Sequence, residues 1–184
     1  LGFPPYRTGG LTKFSVDLMK QQVREGHEVS LMWPGEIKLI GKKNKIKPHK
    51  KEYGIGSYEV INPLPVSYDE GIKDFEVFMI PGNKDPYKKL IISLKPDVIH
   101  IHTLMGLHSS FLEAAKELGI RLVFTTHDFF PICAKATISR HGQICNSIEN
   151  CKECGNCNCT ALDLHRIQIL QSTVYRKLKD SKIV

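Results

Sequence analysis

Residues 95–130, KPDVIHIHTLMGLHSSFLEAAKELGIRLVFTTHDFF, contain two apolar segments separated by a helical pattern. The β-branched run Val98 to Ile101 predicts one strand, and Ile120 to Thr125 predicts a second. Gly119 is expected to end the intervening helix in a left-handed conformation. One face of that helix is apolar at Leu107, Phe111, Ala114, Ala115 and Leu118. Two buried strands joined in this way form a right-handed parallel crossover, so the stretch predicts an α/β fold.

Polar side chains follow both predicted strands. His100 and His102 end the first strand, and His127 and Asp128 come directly after the second. Ligands collect at the carboxyl ends of parallel strands, so we expect His102 and His127 to face one cleft. Alternation along a strand places His100 on the opposite face from His102. The alternative for His127 is a structural histidine bonded to a neighbouring carbonyl.

A glycine pair precedes the first predicted helix. Gly9 and Gly10 lead into an apolar stripe that ends at Gly26, before a strand-like segment at 27–32. The stripe comprises Leu11, Phe14, Leu18 and Val23. Free backbone N–H groups and the positive end of the helix dipole make its amino terminus a seat for phosphate or carboxylate. A glycine turn without a ligand is the alternative.

The two ends of the sequence read as cuts through a larger protein. An α/β domain needs a strand ahead of its first helix, and Lys182 to Val184 begin a further strand after a predicted helix over 161–179. We therefore expect one domain over 1–184, truncated at both ends. The last helix carries an apolar face at Leu164, Ile167, Leu170, Val174 and Leu178.

Composition limits the classes of function. The chain has 184 residues, 41% apolar content and a formal charge of +7, as in one globular domain with an anionic partner or a solvated basic face. Seven lysines and no acid lie in 38–51, which predicts either a mobile loop or a surface for anionic lipid. No membrane span, secretory signal or nucleic-acid partner is predicted, and we expect a cytoplasmic protein, peripheral at the membrane if the lysines bind lipid.

Six cysteines cluster between Cys133 and Cys159. This concentration is unlike a disulfide scaffold and favours a reducing compartment. Two-residue spacing between thiolates suits structural zinc, with an iron–sulfur cluster as a second choice. Such a site would order an insertion at about 131–160. Free thiols or disulfides remain the alternative.

The order of these motifs resembles the amino-terminal domain of family 4 glycosyltransferases of the GT-B fold. The resemblance covers most of the chain and is weakest from Lys38 to Asp85. It rests on four pieces in order: Pro4-Pro5-Tyr6-x-x-Gly9-Gly10, Gly26-His27-Glu28-Val29, Pro96 to His102, and Thr125-Thr126-His127-Asp128. A subgroup of that family continues with His127 to Cys133, a Gly-x-x-Cys at 142–145 and a Cys-Gly-x-Cys at 154–157.

The resemblance implies a Rossmann-like domain with a mostly parallel sheet and helices on both faces, plus the Cys-rich loop. It would be the acceptor side of a retaining, hexosyltransferase-type enzyme of cell-surface polysaccharide synthesis. The donor would be a nucleotide sugar, bound largely by a second, carboxyl-terminal Rossmann domain that is absent here, so this fragment alone is expected to be inactive. The acceptor would be a glycan or a lipid-linked molecule.

The same resemblance suggests residue roles. His127 would act near the transferred sugar as the catalytic residue. Donor or acceptor binding falls to Gly9, Gly10, His102 and Asp128. The metal ligands implied by the subgroup are Cys133, Cys145, Cys154 and Cys157, with Cys151 and Cys159 in reserve.

Two other classes of function stay open. A metal-binding or redox Rossmann-like module without transferase activity would make the histidines incidental. A one-domain phosphosugar or nucleotide enzyme would need its whole catalytic set here, yet no phosphate-loop signature is complete.

Overall fold

The computed structural model describes residues 9–41, 43–65, 80–130, 132–133, 136–140, 143–145 and 162–181. Within these ranges the chain forms five helices and seven strands. The helices are α1 (Gly10–Arg24), α2 (Asp85–Leu94), α3 (Ser109–Glu117), α4 (Leu164–Gln171) and α5 (Thr173–Asp180). The strands are β1 (Ser30–Pro34), β2 (Lys45–Glu52), β3 (Ile55–Ile61), β4 (Val98–Ile101), β5 (Arg121–Phe124), β6 (Ser139–Arg140) and β7 (Gln143–Ile144).

The strands form three sheets in the described part of the chain. The first has the order β1-β3-β2, the second is β4-β5 and the third is the small hairpin β6-β7. β1 pairs with β3, and β4 with β5, in parallel, whereas β2 pairs with β3 and β6 with β7 antiparallel. The fold is therefore α/β and compatible with a Rossmann-like domain. The prediction of a mostly parallel sheet is wrong, because both hairpins add antiparallel pairs.

Of the two alternatives for the lysine-rich segment, a mobile loop or a surface for anionic lipid, the loop is wrong for much of its length, which is strand β2. Tyr53 and Gly54 have φ of 55° and 78°, as a two-residue hairpin turn with two left-handed residues requires. This turn brings Lys45–Glu52 back along β3. β2 is an edge strand of its sheet, and lysines on an edge discourage pairing with another chain.

The predicted β4–α3–β5 unit is present. Three residues of the predicted helix face, Phe111, Ala114 and Ala115, are buried with Ile101 in the main core. Gly119 takes a φ of 68° after the helix, as expected. The prediction of two buried strands is wrong for both: the four residues of β5 are all exposed, and in β4 only Ile101 is buried. Within the described residues β5 pairs only with β4, so its other edge remains open.

Two predicted helical faces differ from the structure. In α1 the buried residues are Thr12, Ser15, Val16 and Met19, so the buried face is rotated away from the predicted stripe and Phe14 is 47% exposed. The last helix is two helices, α4 and α5, separated at Ser172. The hydroxyl of Ser172 accepts a hydrogen bond from the Tyr175 N–H, which caps α5 and interrupts the helix.

A cavity of about 700 Å³ lies between the first two sheets. β1 lines one side of it and β4 the other, with α1 and α2 contributing apolar side chains. At the carboxyl end of these strands, Gly106 approaches Pro34, where a Cβ on the glycine would come within 2.6 Å of the proline ring. Among the described residues no helix is long and apolar enough to cross a membrane.

Candidate functional site

The carboxyl ends of β4 and β5 bring two histidines together. The strands are in register through Ile101 opposite Phe124, and the Thr125 N–H donates to the Ile101 carbonyl at 3.0 Å. His102 and His127 follow directly, and His102 Nδ1 lies 3.2 Å from His127 Nε2. The two residues therefore share a hydrogen bond at one edge of the sheet, as the predicted crossover requires.

His100 lies on the same side as this pair. Its ring is 4.1 Å from the ring of His102, so the expectation that the two would face opposite sides is wrong. The physical reason is that β4 ends at Ile101, and strand alternation does not extend to His102. His100 Nε2 hydrogen-bonds to Thr125 Oγ1 at 2.7 Å, which joins the two strand ends a second time.

The electrostatics of the cluster favour a neutral His102. Burial is the largest cause, and together with the neighbouring charges of His100 and His127 it lowers the pKa of His102 to about 4. His102 is therefore neutral near pH 7. A single N–H lies between His102 and His127, so one ring donates and the other accepts. In either tautomer His127 Nδ1 is outside that bond and is available to donate to, or accept from, a substrate hydroxyl.

The glycine pair stands at the amino end of α1. Gly9 has a φ of 118°, which favours glycine, and no atom of the described residues, chain neighbours aside, lies within 4 Å of a Cβ placed on Gly9 or Gly10. The first N–H groups of a helix have no intrahelical partners, and the helix dipole makes them attractive to anions. The helix end thus combines exposed backbone donors with open space.

Phe14 connects this helix end to the histidines. Its ring centroid lies 5.1 Å from that of His127 and 5.8 Å from that of His102. The apolar stripe predicted for α1 includes Phe14, so sequence reasoning missed its contact with the histidines. The spacing could have indicated this contact, because residues four apart lie on the same face of a helix and Phe14 is four residues after Gly10.

Asp128 has a structural contact of its own. Its Oδ1 accepts the Phe130 N–H at 2.9 Å, which turns the chain after β5. It also borders a cavity of about 340 Å³ beside His127. That cavity is lined by Phe124, Thr126, His127, Asp128, Phe129 and Ile132.

The proposed metal ligands are only partly described. Cys133 and Cys145 are free, partly buried thiols, whereas Cys154 and Cys157 lie outside the described residues. The Cys145 N–H donates to the Ile138 carbonyl at the base of the β6–β7 hairpin. Within the part of the chain that is described, no group of three histidine, cysteine or acidic side chains is arranged to hold a metal ion. Two thiols alone do not make a zinc site, so zinc stays a prediction.

Comparison with known proteins adds one match. The model of the family described as Glycosyltransferase Family 4 matches residues 8–150, which is most of the chain. Neither the curated proteins nor the solved structures gave a match. The matched range includes the glycine pair, Phe14 and all three clustered histidines.

Proposed function

The chain belongs to glycosyltransferase family 4, and we propose that it is the acceptor-side domain of a retaining glycosyltransferase. The donor is a nucleotide sugar, the transferred group is a hexose, and the acceptor is a glycan or a lipid-linked molecule of cell-surface polysaccharide synthesis. Family membership favours this function over the alternative metal-binding or redox module.

One observation carries the proposal: the hydrogen-bonded pair of His102 and His127 lies beside the amino end of α1. Transfer of a sugar from a nucleotide requires that the leaving phosphate be stabilised while the acceptor hydroxyl is held near the anomeric carbon. Backbone N–H groups after Gly9 and Gly10 suit the phosphate. The imidazole of His127 suits a hydroxyl of the transferred sugar or of the acceptor.

The roles within the cleft follow from the contacts. His127 is the catalytic residue, since Nδ1 is outside its bond to His102. His102 contributes to binding through its hydrogen bond to His127, which keeps the His127 ring in one tautomer. Asp128 lines the neighbouring cavity, and its Oδ1 accepts the hydrogen bond that forms the turn after β5. We further propose that a second Rossmann domain supplies most donor contacts.

We extend the proposal to domain organisation. The cavity between β1 and β4 has apolar walls and a strand edge on each side, which suits one further strand of the same protein. A strand there would join the first two sheets into one. With a second Rossmann domain completing the cleft, residues 1–184 alone would not turn over a donor.

We also propose that the protein is cytoplasmic and binds anionic membrane surfaces through residues 38–51, which include the segment before β2 and most of β2. Ile40 is 92% exposed and Leu39 is 46% exposed. Lysines flank them on both sides, so shallow apolar contact and charge attraction would act together. This location suits a lipid-linked acceptor.

The zinc proposal rests on the four-cysteine pattern. Cys133 and Cys145 would supply two thiolates, and Cys154 and Cys157 the other two. The metal would have a structural role only, because a closed set of four thiolates leaves no position for substrate.

The test is transferase activity of the full-length protein. Purified protein is incubated with nucleoside diphosphate sugars and a membrane extract as acceptor source, and release of the nucleoside diphosphate is measured. The proposal predicts that at least one donor releases its nucleoside diphosphate only when acceptor is present. It also predicts that a donor with an axial linkage gives a product with an axial linkage. A product linkage inverted relative to the donor would contradict the retaining mechanism. If no donor released its nucleoside diphosphate, the proposal that the protein is a transferase would be wrong.

A further inference from the structure

Among the described side chains of α1, Phe14 places its ring against both members of the histidine pair. Its ring meets that of His102 at 64° and that of His127 at 65°, both edge-on. The two centroid distances, 5.8 and 5.1 Å, lie in the favourable range for such aromatic pairs. One ring therefore contacts both partners of a single hydrogen bond.

This arrangement has two physical consequences. Contact with both rings restricts their rotation, so the Nδ1-to-Nε2 geometry is held from the α1 side. The same apolar ring keeps water from one side of the bond, which favours the neutral form of the partly buried His102. A half-exposed phenylalanine contributes little to the core, so these contacts are the principal use of the side chain.

We propose that Phe14 is a positioning residue, which fixes the His102–His127 hydrogen bond and couples it to the amino end of α1. The inference deepens the proposed function and rests on it for its effect on catalysis. The structural part, orientation of the pair, stands on the ring contacts alone.

The surroundings leave few competing charges. Among the described residues, His102 has His100 of β4 and His127 after β5 beside it. On the α1 side, Lys13 and Asp17 are exposed and pair with each other at 2.9 Å. Removal of the Phe14 ring would thus act mainly through hydration, which raises the pKa of His102 toward its ordinary value.

The experiment is a histidine NMR titration of the full chain over about pH 5–8, with Phe14→Ala and Phe14→Tyr compared with the parent protein. In the parent, His102 stays neutral throughout this range. In Phe14→Ala we expect a titration midpoint that has risen by at least about one pH unit, into the measured range. Phe14→Tyr keeps the ring and should restore the parent behaviour. Ile92→Ala is the matched control, because Ile92 is also half exposed but lies on α2.

The outcomes separate this inference from the proposed function. If His102 remains neutral to pH 5 in Phe14→Ala, Phe14 does not position the pair and the inference is wrong. If Phe14→Ala fails to fold, the same measurement on Phe14→Gln, which favours the helix but replaces the apolar ring by a polar side chain, decides it by the same criterion. In the transfer assay, the acid limb of the rate should move with the His102 midpoint in Phe14→Ala. A protein that transfers no sugar at all would contradict the proposed function but leave the NMR result valid.

Discussion

Substitution of Asn62 by alanine should destabilise the fold, because this side chain fastens the segment before β2 to the end of β3. Its carboxamide oxygen accepts the Lys38 N–H at 2.7 Å. Its nitrogen donates to the Lys43 carbonyl at 3.1 Å and also to the Gly41 carbonyl. Asn62 is 9% exposed and has a φ of 53°, a left-handed conformation that asparagine tolerates better than alanine.

The expected loss of stability follows from these contacts. Each hydrogen bond contributes about 1 kcal/mol net, and the partner groups lie on exposed residues that water can reach after the substitution. Three bonds give about 2–3 kcal/mol. Left-handed backbone adds about 1 kcal/mol for alanine. We expect a total of about 3–4 kcal/mol for Asn62→Ala.

Urea denaturation of the full chain measures this change, and two further variants divide it. Asn62→Gly removes the three bonds but tolerates the left-handed φ, so it should lose less than Asn62→Ala. Asn62→Asp keeps an acceptor for the Lys38 N–H and loses only the two donated bonds. The reasoning would be refuted if Asn62→Ala cost less than about 1 kcal/mol, or if glycine and alanine cost the same.

Three other predictions concern pH, metal and membrane. The pKa of His102 is lowered from 6.5 to about 4 in the folded state, so the unfolded state takes up the proton first as the pH falls. The free energy of unfolding should therefore decrease as the pH drops from 6.5 toward 4, and urea denaturation midpoints measure this decrease. Protein purified without chelator should contain about one zinc per chain by elemental analysis, and Cys154→Ser should lose it. Anionic vesicles should co-sediment the protein in low salt, and charge reversal at Lys43, Lys45 and Lys47 should abolish this.

Each of these has a clear contrary result. A fall in stability below pH 6.5 that is unchanged in His102→Asn would assign the effect to other groups. Stoichiometric disulfides without bound metal would contradict the predicted zinc site. An iron–sulfur absorption spectrum would show that the cysteines hold a cluster and not zinc. Equal recovery in the supernatant with anionic and neutral vesicles would contradict the membrane surface. Charge reversal at Lys89, an exposed lysine on α2, is the matched control for vesicle binding.

The local unit around α3 was predictable from sequence, since its signals act over short distances. Buried positions at Phe111, Ala114 and Ala115, the left-handed Gly119 and the meeting of His102 with His127 all follow from periodicity and parallel pairing. The sequence signals for these features lie within one helix and two adjacent strands. The core that covers the helix also contains Val60, Tyr87 and Ile91, from β3 and α2.

Features set by other parts of the fold were not predictable. The lysine-rich segment lacks an apolar pattern, yet β3 and the Tyr53–Gly54 turn make it a strand. Which face of α1 is buried depends on the strands that it packs against, and these are distant in sequence. The apolar residues of α1 alone therefore did not show that Phe14 lies beside the histidines. Ser172 interrupts a continuous apolar stripe because its hydroxyl caps α5.

The most direct test of the central claim is the transfer rate of His127→Ala in the full-length protein. Removal of a hydrogen-bonding imidazole from the reacting centre should lower the rate by about 10²–10⁴-fold. The stability should remain near that of the parent, because His127 is exposed at a strand end. His165→Ala, at an exposed histidine on α4, should keep the parent rate. A fully active His127→Ala protein with parent stability would contradict the assignment of the catalytic site to this pair of strand ends.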